Sequence, residues 1–439
     1  MSKPVLAVVG RPNVGKSTFF NKIVGKRIAI VADTPGVTRD RIYAEAEWNG
    51  VEFAIIDTGG IEPNTSDPIL SQMREQAQIA MDTSDAILFM VDGKEGITIA
   101  DSEVATILRK TGKRVILVVN KIDNPKNVPD DYYDFYELGL GEPIPISSAN
   151  MLNFGDVLDE IVDSFPENIY DDDSDSIKVA VIGKPNVGKS SLINELVNEN
   201  RVIVSPVAGT TRDSIDTKLT YKDEEYVLID TAGIRRKSKV NENIERYSVI
   251  RAIAAVERCD VSILIIDAQE GLTEQDKKIV GIAHEAGKGL VIVVNKWDLI
   301  EKETNTIRDY TRKIKSELLF ASYASVIFIS VKKHVRVFDV MDMISRVAQS
   351  RRRRISTGQL NNVVIDATMM KQPPSDKGKR LKIYYVSQVG VSPPLFSFKI
   401  NSRPLMHFSY SRYLENKIRE AFGFEGTSIK FVFREKGEK

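Results

Sequence analysis

Eight residues are written almost identically twice in this chain: Gly10-Arg11-Pro12-Asn13-Val14-Gly15-Lys16-Ser17 and Gly183-Lys184-Pro185-Asn186-Val187-Gly188-Lys189-Ser190. Each follows a short apolar run, VLAVV or KVAVI, and opens an amphipathic stretch. A G-x-x-x-x-G-K-S phrase between a strand and a helix is a phosphate-binding loop. Its glycines let backbone N–H groups converge on phosphate oxygens, and the helix N-terminus adds partial positive charge. Lys16 and Lys189 can reach the β- and γ-phosphates, and Ser17 and Ser190 can offer a hydroxyl to Mg²⁺. Alone, the phrase implies a nucleoside triphosphate and nothing finer.

Other residues name the base and the chemistry. Asp57-Thr58-Gly59-Gly60 and Asp230-Thr231-Ala232-Gly233 end apolar runs, where a carboxylate can hold Mg²⁺ and the Gly60 or Gly233 N–H can sense a γ-phosphate. Asn120-Lys121-Ile122-Asp123 and Asn295-Lys296-Trp297-Asp298 also end apolar runs. The Asp123 and Asp298 carboxylates accept twice, matching the N1–H and N2 amine of guanine. Adenine lacks that pair of donors, so an ATP-driven enzyme is disfavoured. Thr38 in PGVTRD and Thr211 in AGTTRD lie between the phosphate loop and the Asp strand, where a switch loop supplies a hydroxyl to Mg²⁺ and an N–H to the γ-phosphate. Ser148-Ala149 and, more loosely, Ser330-Val331-Lys332 follow the last strand and can close the base pocket through backbone groups, Val331 departing from the usual Ser-Ala pair. The catalytic set read in this way is Lys16, Thr38 and Gly60 with Lys189, Thr211 and Gly233. Small GTPases place Gln directly after the D-x-x-G glycine to orient water. Here Ile61 and Ile234 stand there, so hydrolysis is slow, completed by a partner, or assisted otherwise.

The repeat organises the elements. Gly10, Lys16, Thr38 and Asp57 recur 173 residues later, and Asn120 recurs 175 later. Runs at 5–10, 51–57, 86–92, 114–121 and 144–147 read as buried strands, with helical stretches such as 69–82 and 101–111 between them, and the second copy follows the same order. Short apolar runs separated by helices predict two doubly wound, mostly parallel sheets. The acidic stretch 165–177 reads as a linker, dividing a GTPase domain at 1–164 from another at 178–350. Residues 351–439 read as helix, two strands, helix, strand: a small α+β domain.

Composition sets further bounds. The single cysteine, Cys259, can form no internal disulfide and reads as a buried small residue beside a strand. MSKPVLAVVG leaves no room for an export signal, and no apolar run approaches the ~20 residues that span a bilayer. A soluble, cytoplasmic monomer without membrane attachment is the expectation. Residues 350–439 hold 18 Lys and Arg against 7 Asp and Glu, a net of +11, which exactly offsets the −11 of the preceding residues. A basic tail on an acidic body implies a polyanionic partner, with Arg351–Arg354 as the first contact, unless that charge is merely solvated.

Together these residues resemble the Der (EngA) family of bacterial GTPases with tandem G domains, similar to the Era group. The repeated G-[RK]-P-N-V-G-K-S, PGVTRD with AGTTRD, GIRRKSKV after the second D-T-A-G, and N-K-W-D carry the likeness over the whole chain. The resemblance implies a GTP-hydrolysing factor for assembly of the large ribosomal subunit, binding its rRNA, with the nucleotide state of both G domains controlling attachment. It implies a C-terminal KH-like domain without a working GXXG loop, since Gly423-Phe424-Glu425-Gly426 falls after a helix and before a strand. It also implies a K⁺ ion beside the phosphates, held by Asn13 and Asn186, in addition to Mg²⁺ held by Ser17, Thr38 and Asp57 or Ser190, Thr211 and Asp230. The basic segment 233–239 is then a switch whose charge the nucleotide shows or hides, or else a solvated surface. A rival reading is an rRNA-binding scaffold in which one G domain is hydrolytically inert.

Overall fold

The computed structural model describes residues 3–24, 43–57, 69–125, 127–165, 176–198, 203–205, 216–229, 244–376 and 378–435. Thr38, Thr58–Ile61, Thr211, Asp230–Ile234, the segment 233–239 and residues 166–175 of the acidic stretch lie outside them. The chain forms two compact units: residues 1–174 with 240–258, and residues 175–239 with 259–439.

In the first unit, β1 (Val5–Val9), β3 (Val51–Asp57), β4 (Ala86–Asp92), β5 (Arg114–Asn120) and β6 (Ile144–Pro145) are parallel. The antiparallel β2 (Tyr43–Trp48) completes the order β2-β3-β1-β4-β5-β6. Every residue of β1 and β4 is buried, because helices cover both faces of a parallel sheet. On one face lie α1 (Lys16–Val24) and α4 (Phe154–Asp163), whose Phe19 and Phe154 rings meet at 5.1 Å. On the other lie α2 (Ile69–Thr83) and α3 (Ile99–Arg109), which bring Met73, Ala77, Val104 and Leu108 onto Val9, Phe89 and Val119. The helix Ile244–Arg258 also belongs to this unit; there Arg251 pairs with Asp82 and Glu257 accepts from Tyr43.

The second unit repeats the sheet. Its order is β13-β12-β11-β7-β10-β9-β8, from β7 (Ile177–Ile182), β8 (Ile203–Ser205), β9 (Thr217–Tyr221), β10 (Glu224–Ile229), β11 (Val261–Asp267), β12 (Gly289–Asn295) and β13 (Ser325–Phe328). Only β9 is reversed, pairing antiparallel with both β10 and β8. In both sheets the chain leaves the first strand to one side and returns on the other, so a crevice opens at the strand C-termini. Register sets the motifs there: Val8 lies beside Asp57, Asp92 beside Asn120, and Asp267 beside Asn295.

The same unit carries a third sheet, β16 (Ile383–Gly390), β17 (Leu395–Ile400) and β18 (Lys430–Glu435), ordered β16-β17-β18. Helices Thr357–Met370 and Phe408–Phe422 cover one face through Leu360, Val364, Phe396, Phe398, Leu414 and Ile418. A short hairpin, β14 (Ser375–Asp376) with β15 (Lys379–Arg380), precedes β16. The 423–426 turn does follow a helix and precede a strand, and it seats this module on the second G domain. Leu290 N–H donates to the Gly426 carbonyl at 2.6 Å, and Gly426 N–H donates to the Tyr323 carbonyl at 3.0 Å. A Cβ on Gly426 would lie 2.3 Å from Val347 Cγ2, and its φ of +69° favours glycine besides.

Two residues of the basic run expected at Arg351–Arg354 are not free: Arg351 and Arg353 are held by backbone carbonyls. Arg351 is 4% exposed and donates to the Asp260 carbonyl, while Arg353 donates to the Phe422 carbonyl. Each guanidinium satisfies a backbone carbonyl that no apolar residue could, Arg351 on the G domain and Arg353 at the end of the helix Phe408–Phe422. Cys259 is buried, its sulfur within 3.2 Å of Ser262 Oγ, and burial raises its thiol pKa, as suits an inert residue.

Candidate nucleotide-binding sites

Both phosphate loops lie at the crevice. Asn13 and Asn186 adopt left-handed backbones at φ 66° and 65°. A Cβ on Gly10 or Gly183 would lie 2.3 Å from the carbonyl oxygen of Met90 or Ile265. A Cβ on Gly15 would lie 2.1 Å from Asn120 Nδ2, and one on Gly188 2.3 Å from Asn295 Nδ2. All four glycines are thus fixed by close approach. Val14 and Val187 anchor the loops in the cores.

The asparagines of the two N-K-x-D motifs are clamps. Asn120 Nδ2 donates to the Val14 carbonyl at 2.7 Å, and its Oδ1 accepts the Ser148 N–H at 2.9 Å. Asn295 makes the same pair with Val187 at 2.8 Å and Val331 at 3.2 Å. One side chain therefore ties the phosphate loop to the loop after the last strand, joining phosphate and base ends of each site. This reveals a register that sequence reasoning missed. Ile146 and Ile329 bond Val119 and Val294 alike, so Ser147 matches Ser330, and Ser148 matches Val331. The counterpart of Ala149 is Lys332. The signal available was the spacing from the preceding isoleucine.

The remaining motif residues carry the charge. Lys16 is 6% exposed and donates to the Gly10 and Arg11 carbonyls, both at 2.6 Å. Burial pushes its pKa down to about 8, against the opposing pull of Asp57. Lys189 bonds the Gly183 and Lys184 carbonyls in the same way. Ser17 Oγ lies 3.1 Å from Asp57 Oδ2, so a hydroxyl and a fully buried carboxylate converge beside the first loop. Ser190 opens the equivalent helix Lys189–Asn198. Pro12, Pro185 and the exposed Asn13 and Asn186 form the outer rim of the loops.

At the base end, Lys121 and Lys296 adopt left-handed backbones and pair with Asp92 and Asp267, each at 2.5 Å. Burial disfavours the Asp92 carboxylate, yet the Lys121 ammonium and backbone N–H groups hold its pKa below the usual range. Ile122 and Trp297 are buried, with Trp297 against Phe328 at 4.4 Å, which fixes the loops that carry Asp123 and Asp298. The two carboxylates differ in company. Asp123 meets Lys94 at 2.9 Å, whereas Asp298 accepts from Ser330 Oγ at 2.6 Å, which lowers its pKa. Arg11 is further held by Asp101, which caps α3 with Thr98, and by Glu95 at 2.7 Å. Capping-box carboxylate Asp276 occupies the matching place near Lys184.

Two family profiles match. Residues 5–121 and 178–296 match one described as "50S ribosome-binding GTPase", and residues 354–434 match the "KH-domain-like of EngA bacterial GTPase enzymes, C-terminal". Among similar curated proteins, GTPase Der of Lachnospira eligens is 60% identical over 440 residues, covering 100% of both chains. GTPase Der of Agathobacter rectalis is 59% identical over 439 residues with the same coverage. GTPase Der of Alkaliphilus metalliredigens is 60% identical over 439 residues, covering 99% of each. With paired phosphate loops, paired N-K-x-D clamps and a KH-like module on one chain, this protein belongs to the Der family of GTPases and hydrolyses GTP.

Proposed function

We propose that the chain acts in assembly of the large ribosomal subunit, and that the nucleotide state of its two G domains controls its hold on ribosomal RNA. The observation that carries this is the duplicated clamp: Asn120 and Asn295 each join a complete phosphate loop to a base loop. Two intact sites support two nucleotide-dependent binding events. The ribosomal part rests on the description of the matching family profile and on the +11 tail. The functional boundaries we assign are 1–164, 165–177, 178–350 and 351–439, with the KH-like domain last.

In each site the loop N–H groups and Lys16 or Lys189 hold the β- and γ-phosphates, Asp123 or Asp298 reads guanine, and Ser148-Ala149 or Val331 with its neighbour closes over the base. Phosphate oxygens beside Lys16 favour its charged form and oppose the downward shift that burial imposes. The Ser17 hydroxyl and Asp57 carboxylate fit Mg²⁺, which neutralises charge developing on the phosphates. Ser190 with Asp230, and Thr38 and Thr211, complete that assignment, with Gly60 and Gly233 donating to the γ-phosphate. The exposed amides of Asn13 and Asn186, which make no hydrogen bond among the described residues, suit a K⁺ ion as ligands. Replacement of Na⁺ by K⁺ at constant ionic strength then raises turnover, and Asn13→Ala or Asn186→Ala removes the rise in its own domain. Equal rates in both salts count against the ion.

The functional test is capture of ribosomal particles by the full chain with GTP, GDP or no nucleotide. Nucleotide-dependent recovery of large-subunit particles is expected. Equal recovery in all three states would overturn nucleotide control.

A further inference from the structure

The basic tail needs a surface from which its charge can act, and several routes are closed. The 423–426 turn is seated on the second G domain, Arg351 donates to the Asp260 carbonyl, and Arg353 donates to the Phe422 carbonyl. Lys417 pairs with Glu420, Arg419 with Glu415, Arg412 donates to the Leu319 carbonyl, and Lys371 lies over the Tyr413 ring. Four other cations lie near one end of the three-stranded sheet.

Helices cover only one face of the β16-β17-β18 sheet. On the other, register aligns Tyr385 with Lys399 and Lys399 with Arg434 in a single row across the three strands. Neighbouring strands lie about 4.8 Å apart, so the row is a compact aromatic and cationic strip. Asn401 then ties the β14–β15 hairpin to this end of the sheet. Its Oδ1 accepts the Lys382 N–H at 2.9 Å, and its Nδ2 donates to the Arg380 carbonyl at 2.9 Å. Arg380, Lys382, Lys399 and Arg434 are all exposed and make no ion pair among the described residues. Tyr384 and Tyr385 are 51% and 47% exposed. No acidic residue occupies an outward position of the three strands; the side chain of Glu435 turns to the Arg403 N–H at 2.7 Å.

Four uncommitted cations near the half-exposed Tyr385 ring match an anionic chain that also carries flat rings. An acidic protein would supply the charge but leave Tyr385 without a stacking partner, whereas every base has a π-face. We propose that this end of the open sheet face binds single-stranded RNA, with Lys399, Arg434, Lys382 and Arg380 on phosphates and Tyr385 beneath a base. The proposal rests on the ribosomal-RNA reading above.

The test titrates full-length protein with deproteinised large-subunit rRNA and with poly(U) at three salt concentrations. Lys399→Ala with Arg434→Ala should weaken binding to both RNAs about tenfold and lower the slope of log affinity against log salt by about 1.4, two phosphate contacts' worth. The pair Arg380→Ala with Lys382→Ala should act in the same way and guards against a local folding defect. Tyr385→Ala should weaken binding about tenfold with the slope kept, and Tyr385→Phe should retain affinity. GTP hydrolysis should be unchanged throughout. Wild-type affinity and slope in both double variants would overturn the proposal. Loss of particle capture with free-RNA affinity intact would also overturn it, assigning the face to a ribosomal protein. Wild-type protein that binds neither RNA nor particles in any nucleotide state would instead sink the underlying ribosomal reading, and this face with it.

Discussion

At the scale of single residues, charge and burial decide behaviour. Asp123 and Asp298 each present two acceptors where guanine offers two donors. Asp123→Asn or Asp298→Asn turns one acceptor into a donor, so each should lose GTP affinity at its own site and gain xanthine nucleotides. Titration with GTP and XTP checks this, and full GTP affinity at both sites would reject it. Lys16 supplies a second test. Its unfolded ammonium holds its proton to about 10.5, while the folded one releases it near 8. Between these pH values the unfolded chain binds more protons, so the nucleotide-free protein should gain up to about 3 kcal/mol as pH rises. GTP phosphates favour the charged form and should flatten that slope. Lys16→Met should abolish both the slope and nucleotide binding at the first site. Urea unfolding across pH 8 to 10.5 measures it, and parallel profiles for wild type and variant would contradict it. The motif residues were legible because each type does one chemical job at fixed spacing. The dual role of Asn120 was not, since nothing in N-K-x-D says that its amide grips Val14 and Ser148 at once.

At the scale of elements, the clamp is what makes three loops one site. Asn120 is 2% exposed and makes both bonds in a buried setting. Asn120→Ala leaves the Val14 carbonyl and the Ser148 N–H without partners, which should cost about 2–4 kcal/mol in the first unit. Gly15→Ala should do comparable damage by another route, pushing Asn120 Nδ2 out of place from the glycine side. Thermal unfolding and GTP affinity should fall together in both variants, whereas stability lost with affinity kept would refute the linkage. The parallel strands were readable because burial on both faces writes continuous apolar runs such as AILFMVD and VSILIID. The antiparallel β2 and β9 were not, because YAEAEW and TKLTY mix polar and apolar residues near the sheet edge. The arginines at 351 and 353 misled for a related reason. A basic run reads as solvent-facing, and only the tertiary fold brings the Asp260 and Phe422 carbonyls within reach.

At the scale of the whole molecule, the KH-like module and the second G domain share one unit, and His284 sits at their junction. Its Nδ1 lies 2.8 Å from Tyr323 Oη, and its ring meets Phe320 edge-on at 5.8 Å. Burial pushes its pKa down to about 4, and the nearby charges of Arg419, Lys430 and Arg412 add to the effect. Arg419 in turn covers the Tyr323 ring at 4.6 Å and donates to the Phe424 and Thr427 carbonyls, each at 2.9 Å. A protonated His284 would therefore face the very groups that seat the module. The unfolded imidazole takes its proton near 6.5, while the folded one resists until about 4, so the unfolded chain binds more protons in that window. Stability from this group is fully present above pH 6.5 and is lost as pH falls towards 4, by about 3 kcal/mol. Carboxylates titrate over part of the same range, so the comparison must be with a variant. His284→Gln keeps a polar partner for Tyr323 but cannot take up the proton. Calorimetry from pH 7 to 4 should show the wild-type second unit losing stability faster than the variant, with the first unit unaffected. If the two proteins lost stability in parallel, His284 would have no part in holding the module, and its seating would rest on contacts such as those of Gly426 with Leu290 and Tyr323 and of Arg419 with the Tyr323 ring.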